Sequence, residues 1–172
     1  MRIEKENYNL REWNLDDSAS LAMHANNIRI WNNVRDYFPH PYSMEDGIAF
    51  ISQVLSKAKP PTDFAIEIAG KAVGGIGIVP NHDVERITAE IGYWLGESFW
   101  NKGIMTDVIK DVVQYTFTNF SITKLYAPVF EFNRASMRVL EKAGFIREAI
   151  LHKAAVKNDK VIDLHYYALF KV

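Results

Sequence analysis

The chain contains no cysteine, which excludes disulfides, thiol nucleophiles and zinc or iron–sulfur centres built on thiolates. It also lacks an excess of either charge. Its 20 Lys and Arg against 21 Asp and Glu leave a net charge of −1, and the signs are interspersed. General nucleic-acid or anionic-membrane binding therefore lacks its electrostatic footprint, and an anionic ligand has to be held locally. No apolar run approaches membrane-spanning length, and the opening MRIEKENYNL carries both charge signs without the apolar core of a secretory signal. A cytoplasmic protein is expected. His24, His40, His82, His152 and His165 are scattered without metal-ligand spacing, so no metal site is expected. Internal repeats, low-complexity tracts and Gly/Ser/Pro linkers are missing too. With 172 residues, 48% hydrophobic and 13% aromatic, the expectation is one domain over residues 1–172 with a real core, as monomer or homodimer.

Patterning then supplies the elements. Residues 8–13 read as a short strand, after which Asp16 or Asp17 caps a helix through about Asn27 with Leu21, Ala22 and Ala25 on its buried side. Residues 28–42 are aromatic with weak periodicity, suited to a packed loop with short helical turns. Ser43 and Asp46 form a capping box with Asp in place of Glu. The helix that follows turns Ile48, Ile51, Val54 and Leu55 inward and ends before Lys59-Pro60-Pro61. Residues 64–68, 72–79 and 87–95 are strand candidates, joined by turns at Gly70-Lys71 and residues 80–86, which favours antiparallel pairing. Gly74, Gly75 and Gly77 do not make a dinucleotide fingerprint, because Pro80 takes the third glycine's place and no helix follows. They suit a strand whose surface must stay open for a neighbour.

Residues 90–95 lead into Phe99-Trp100-Asn101-Lys102-Gly103-Ile104-Met105-Thr106, and a helix with two apolar stripes, Ile104-Val108-Val112 and Met105-Ile109-Val113-Phe117, leads out. A strand-to-helix loop exposes backbone N–H groups that no intrahelical carbonyl satisfies, and the helix dipole adds partial positive charge. Gly103 allows close backbone approach and Lys102 adds a mobile charge, so the expected guest is a phosphorylated ligand. Residues 125–130 form a strand parallel to its predecessor, with Pro128 removing a ladder donor so that the two diverge. Asn133 caps a short helix carrying Met137 and Leu140, and Gly144 stops it. Residues 145–151, 152–156 and 161–172 read as closing strands, the last two as a hairpin around Asn158-Asp159-Lys160.

In order and in motif the chain resembles the GNAT superfamily of N-acetyltransferases, within it the branch of ribosomal-protein alanine and spermidine acetyltransferases. The resemblance spans nearly the whole chain and rests on NLREWNLDD, AEIGYWLGESFWNKGIMTD, NRASMRVLEKAGF and the late Asp163. It implies an α+β fold: a mostly antiparallel sheet flanked by helices, split into a V between two parallel strands, with acetyl-CoA in the split. The family's pyrophosphate loop has Arg or Gln, two residues, Gly, one residue, then Gly or Ala. Here those places hold Trp100, Gly103 and Met105, and Asn101 stands where the branch commonly has glycine.

The chemistry so implied is attack of a neutral amine, a protein N-terminus or a small molecule, on the thioester of acetyl-CoA. Glu90, sharing a strand face with Thr88, Gly92 and Trp94, is the candidate base, relayed through water. Backbone N–H groups of Tyr93, Trp94 and Leu95 meet the carbonyl oxygen, and those of Trp100 to Thr106 meet the pyrophosphate. Ser136 is the donor to the leaving thiolate, with Tyr126, Tyr166 and Tyr167 as competitors. Asn133 contacts the pantetheine, and Arg134, Arg138 or Lys142 the adenosine phosphates. Trp31, Tyr37, Phe38, Glu90 and Tyr166 contact the amine, with Asp36 nearby in sequence. The alternative is an acyl-CoA-binding sensor or interaction domain without turnover.

Overall fold

The computed structural model describes residues 2–172, and its strands form one mixed sheet. In chain order the elements are β1 (Arg2–Glu4), β2 (Asn9–Arg11), α1 (Ser18–Ala25), α2 (Ile28–Trp31), α3 (Met44–Leu55), β3 (Asp63–Ile68), β4 (Lys71–Pro80), β5 (Thr88–Leu95), α4 (Ile104–Asn119), β6 (Lys124–Phe130), α5 (Arg134–Lys142), β7 (Ile146–Lys157) and β8 (Lys160–Phe170). The sheet order is β1-β2-β3-β4-β5-β6-β8-β7. The chain divides into two compact units, one taking residues up to Gly77 together with Tyr93–Ile104, the other Ile78–Gly92 and Met105–Val172.

In the first unit, β2, β3 and β4 pair antiparallel, with Leu10 opposite Ile66 and Ile66 opposite Gly74. Ala65 of β3 and Ala72 of β4 join Trp13, Leu21, Ala25, Tyr42 and Ile51 in a buried cluster. The β3–β4 turn is centred on Ala69 and Gly70, at φ +50 and +76, one residue earlier than the expected Gly70-Lys71. The glycines of β4 do keep a surface open. A β-carbon on Gly74 would lie 2.7 Å from the Trp94 carbonyl oxygen, and one on Gly75 3.0 Å from both the Trp13 and Trp94 rings.

Two further expectations are corrected in this unit. Neither Asp16 nor Asp17 caps α1 with its side chain. Asn14 caps the preceding 3₁₀ turn, and the buried Asp17 carboxylate accepts from Asn14 N–H at 2.9 Å and pairs with the two terminal Arg11 guanidinium nitrogens at 2.7 and 2.8 Å. Arg11 also pairs with Glu67, so one cation between two carboxylates claims the side chain that local sequence assigns to a cap. In α3 the Ser43–Asp46 capping box forms as expected. Its apolar face is rotated, however: Ile51 is buried and Val54 and Phe50 pack inward, whereas Ile48 and Leu55 are 42% and 50% exposed. The cause is Gly47, whose missing side chain lets α3 approach α1 so closely that a β-carbon there would lie 3.1 Å from the Ser18 carbonyl oxygen.

In the second unit β5 and β6 run parallel, and Thr88, Ala89 and Glu90 pair with Lys124, Leu125 and Tyr126. β6 then pairs antiparallel with β8 along its whole length, Pro128 lying opposite Tyr166. Ile104, Met105, Val108, Ile109 and Val112 of α4 are buried, with Val113 and Phe117 of the second stripe half-buried. Residues 145–151 and 152–156, expected as separate strands, are one strand, β7, with register shifts between Arg147 and Ala149 and between Leu151 and Ala155. Lys153 at φ +51 absorbs the second irregularity, so chain direction is kept where sequence suggested a break. The closing hairpin turns on Asn158 and Asp159 at φ +52 and +59, the left-handed pair that a tight hairpin requires.

Candidate active site

The loop before α4 is built from conformations that residue types there permit. A 3₁₀ turn, Glu97–Phe99, leaves β5. Asn101 follows at φ +61 and Gly103 at φ +80. Asn is among the few residue types other than Gly that visit the left-handed region, because a short polar side chain can bond locally. The first residues of α4 come next, so successive N–H groups are presented where the helix has no carbonyl to offer them. Ile104 and Met105 bury their side chains and offer a ligand only their main chain; Thr106 is half-buried, and Asn101, Lys102 and Gly103 are exposed. Space above Gly103 is open, with no atom within 4 Å of a built β-carbon. Lys102 Nζ rests 5.4 Å from the Phe99 ring.

This loop is anchored through Trp100 and Leu95, with Asn27, Arg29 and Glu97, which sequence reading did not select, around them. Trp100 Nε1 donates to the Leu95 carbonyl at 2.7 Å, folding the indole back on the strand end. The Arg29 guanidinium lies over that ring, 5.3 Å from its centroid, and forms an ion pair with Glu97. Asn27 donates Nδ2 to the other Glu97 carboxylate oxygen at 2.7 Å while its Oδ1 caps Arg29 N–H at 2.8 Å. Some 70 residues separate the partners, so no local spacing announces the cluster. Leu95 is buried, and Trp94 is half-buried with its ring 5.9 Å from that of Phe38.

Of the expected amine contacts in this unit, Phe38 packs on the buried cluster and against Tyr42 at 4.9 Å, Trp31 lies 5.9 Å from the His40 ring, and Tyr37 is 85% exposed. The aromatic stretch thus divides into packing residues and one ring open to solvent. Burial, with the nearby Asp46 charge, pushes the Tyr42 hydroxyl up to about 12, so it remains neutral.

The second unit carries the acid–base candidates. Glu90, half-buried, is the last β5 residue paired with β6. Beyond it the parallel ladder stops although β5 runs on to Leu95 and β6 to Phe130. Two places along the same face, at Gly92, a β-carbon would meet no atom within 4 Å. Tyr126, opposite Glu90, stacks on Tyr166 with centroids 5.9 Å apart and planes 7° from parallel. Asn81, missed from sequence because it sits in a turn, donates Nδ2 to Thr88 Oγ1 at 2.8 Å and reaches the Tyr126 hydroxyl at 3.3 Å.

Asn133 caps α5 as expected: its Oδ1 accepts from Ser136 N–H at 3.1 Å, which fixes half-buried Ser136 in the first turn. Arg138 is exposed and Arg134 approaches Met137 Sδ at 3.9 Å. Tyr167 is buried and donates to Glu141 at 2.9 Å, and burial together with that bond raises its pKa. Among the described residues no group of three or more His, Asp and Glu is placed to hold a metal ion, and no helix is long and apolar enough to cross a membrane.

The Acetyltransferase (GNAT) domain family matches this chain over residues 7–146. The chain belongs to that family. Among curated GNAT relatives, the ribosomal-protein-serine acetyltransferase of Escherichia coli is 30% identical over 95 residues, 54% of this chain and 53% of that protein. The chain spans about half the length of the curated relatives it matches, 50% and 47% in two Bacillus examples. Among solved structures, RimL, a ribosomal-protein alpha-N-acetyltransferase in complex with coenzyme A, superposes with a TM-score of 0.87 at 20% identity, covering 99% of this chain and 98% of that one. The microcin self-immunity acetyltransferase MccE, in complex with acetyl-CoA and AMP, gives 0.85 at 24% identity over 97% and 94%. At these identities the two superpositions speak for the fold. That fold is the GNAT one, with its mostly antiparallel sheet and single parallel strand pair.

Proposed function

We propose that this GNAT domain is an acetyl-CoA-dependent N-acetyltransferase acting on a primary amine, either a protein N-terminus or a small molecule. One observation carries the reading: a loop with left-handed Asn101 and Gly103 opens directly into α4, in a chain whose β5–β6 ladder stops after Glu90. The first feature suits a diphosphate; the second leaves strand main chain for an acyl-pantetheine arm. The fit is supported by the open space at Gly92 and Gly103, and by the coenzyme A and acetyl-CoA bound in RimL and MccE.

In this proposal the main-chain N–H groups of Trp100, Asn101, Lys102, Gly103, Ile104, Met105 and Thr106 hold the pyrophosphate. Asn133 meets the pantetheine and Arg138 the adenosine phosphates. An alkylammonium has a reference pKa of about 10.4, so the acceptor arrives protonated and has to lose a proton before attack. Glu90 takes that proton through a water molecule. The amine nitrogen then bonds to the thioester carbon, negative charge builds on the carbonyl oxygen, and N–H groups of Tyr93, Trp94 and Leu95 stabilise it. As the carbon–sulfur bond breaks, the nitrogen gives up its remaining excess proton, which ends on sulfur to give the free thiol and the neutral amide, and the Ser136 hydroxyl hydrogen-bonds the departing thiolate. Trp31, Tyr37, Phe38 and Tyr166 shape the acceptor side.

Calorimetry with acetyl-CoA, followed by thiol release with a panel of amines and N-terminal peptides, tests this. Binding with release on at least one amine is expected. Binding without release on any acceptor would point to an acyl-CoA sensor, and absence of binding would overturn both.

A further inference from the structure

Arg29, Glu97 and Asn27 lie outside the groups assigned above to ligand or proton transfer, yet all three converge on the residues that enter the pyrophosphate loop. Both Glu97 carboxylate oxygens are occupied, one by Arg29 and the other by Asn27 Nδ2 at 2.7 Å. Arg29 in turn covers the Trp100 ring at 5.3 Å, and the edge of that ring is fixed by its 2.7 Å bond to the Leu95 carbonyl. Main-chain bonds complete the knot, Phe99 N–H donating to Gly96 at 3.0 Å and Trp100 N–H to Glu97 at 3.1 Å. The side chains of Arg29 and Glu97 are 65% and 37% exposed. An ion pair that open contributes little to folding; what it can do is hold one loop in one shape.

Two physical consequences follow. The loop's left-handed residue Asn101 is the first after Trp100 and has no packing of its own, being exposed. Its geometry is inherited from the clamped indole. Glu97 would also be a bare carboxylate three residues before the first of the proposed pyrophosphate-binding N–H groups; Arg29 neutralises it. We infer that Arg29, Glu97 and Asn27 form a latch that presets the loop through Trp100, as positioning residues for acyl-CoA affinity rather than as ligands of the phosphates. The affinity half of this inference rests on the acetyl-CoA reading. The same latch ties the loop to α2, which runs directly into the aromatic acceptor stretch at Trp31.

The test has one readout that needs no ligand. Amide hydrogen exchange at positions 99 and 100, whose N–H groups are bonded to the Gly96 and Glu97 carbonyls, is expected to rise about tenfold in the unliganded protein in Arg29→Ala, Glu97→Gln and Trp100→Phe, equivalent to ~1.4 kcal/mol of local opening, while exchange in α3 stays unchanged. In parallel, acetyl-CoA dissociation constants and KM are expected to rise about tenfold in Arg29→Ala and Glu97→Gln, with kcat at saturation and the melting temperature held. Arg29→Lys should recover part of the loss, because charge returns without the flat face that covers the indole. Glu97→Gln separates this inference from direct phosphate binding: a latch predicts weaker acetyl-CoA binding, whereas a phosphate-binding Arg29, released from its partner, predicts equal or tighter binding. Unchanged loop exchange in all three variants would overturn the latch. Loosened exchange with wild-type affinity would overturn its role in binding. Failure of the unaltered protein to bind acetyl-CoA would overturn the cofactor reading and the affinity half, leaving exchange to decide the latch.

Discussion

Replacing Gly74 by alanine places a β-carbon 2.7 Å from the Trp94 carbonyl oxygen, 2.9 Å from Leu95 Cδ1 and 3.1 Å from Leu95 Cα. Ordinary contact begins near 3.4 Å, so the shortest approach falls short by 0.7 Å. Two of the three opposing atoms are backbone, and no rotamer change relieves them. Overpacking of this kind costs about 1–3 kcal/mol, against roughly 0.5–1 kcal/mol gained by removing glycine from a strand interior. The net expectation is about 1–2 kcal/mol of destabilisation, a fall of about 2–8 °C in melting temperature for a chain this size. Because the strand that must retreat carries Trp94 and Leu95, kcat for acetyl transfer should fall beyond the stability loss. Gly92→Ala is the matched control, since a β-carbon there meets nothing within 4 Å. It should fold as well as the native protein while reducing acetyl transfer, because the open space is where the acyl group or acceptor would lie. Urea unfolding and thiol-release kinetics on both variants settle the matter. Native stability in Gly74→Ala, or greater damage to folding in Gly92→Ala, would refute the reasoning.

Glu90→Gln should lower turnover by about 10²–10⁴-fold with acetyl-CoA affinity little changed and the pH–rate profile altered; unchanged kinetics would remove Glu90 from the mechanism. Asn133→Ala removes the α5 cap and should cost ~1 kcal/mol in urea unfolding, with Ser136→Ala, which keeps the cap, lowering kcat alone. Hydrogen bonds from Asn9 and Arg11 hold the Glu67 carboxyl below its ordinary value of 4.5. The stability linked to it is therefore present above that value and lost as pH falls through the lower folded one. Glu67→Gln should lower stability at neutral pH by roughly 1–3 kcal/mol and flatten the acid limb of the stability–pH curve. An unchanged acid limb would show that Glu67 does not carry it.

Much of the arrangement was legible because it is written in short-range chemistry. The Ser43–Asp46 box, the Asn133 cap, Gly144 at φ +98 and Gly103 at φ +80 are each decided by a residue and its immediate neighbours. Pro128 marked the strand whose pairing with β5 ends early, since a missing N–H is visible in any sequence. What escaped was decided at long range. Asp17 looks like a cap until Arg11 and Glu67 are brought beside it. Ile48 and Leu55 have the right spacing for a buried face, but the close approach permitted by Gly47 turns another face inward. Residues 145–156 read as two strands because a strand crossing two irregularities loses its period, while the ladder to β8 keeps it one.

The same division holds for the candidate site. The amino-acid order by itself determined the strand–loop–helix turn at Asn101 and Gly103, the position of Glu90 on a strand face and the capped start of α5, since backbone conformation and side-chain alternation follow from local residue type. Only the tertiary structure decided that Tyr167 is committed to Glu141, that Tyr126 and Tyr166 stack beside Asn81, and that Asn27, Arg29 and Glu97 clamp Trp100. Those contacts join residues tens of positions apart, and their partners are chosen by how strands and helices pack, a property no local stretch contains.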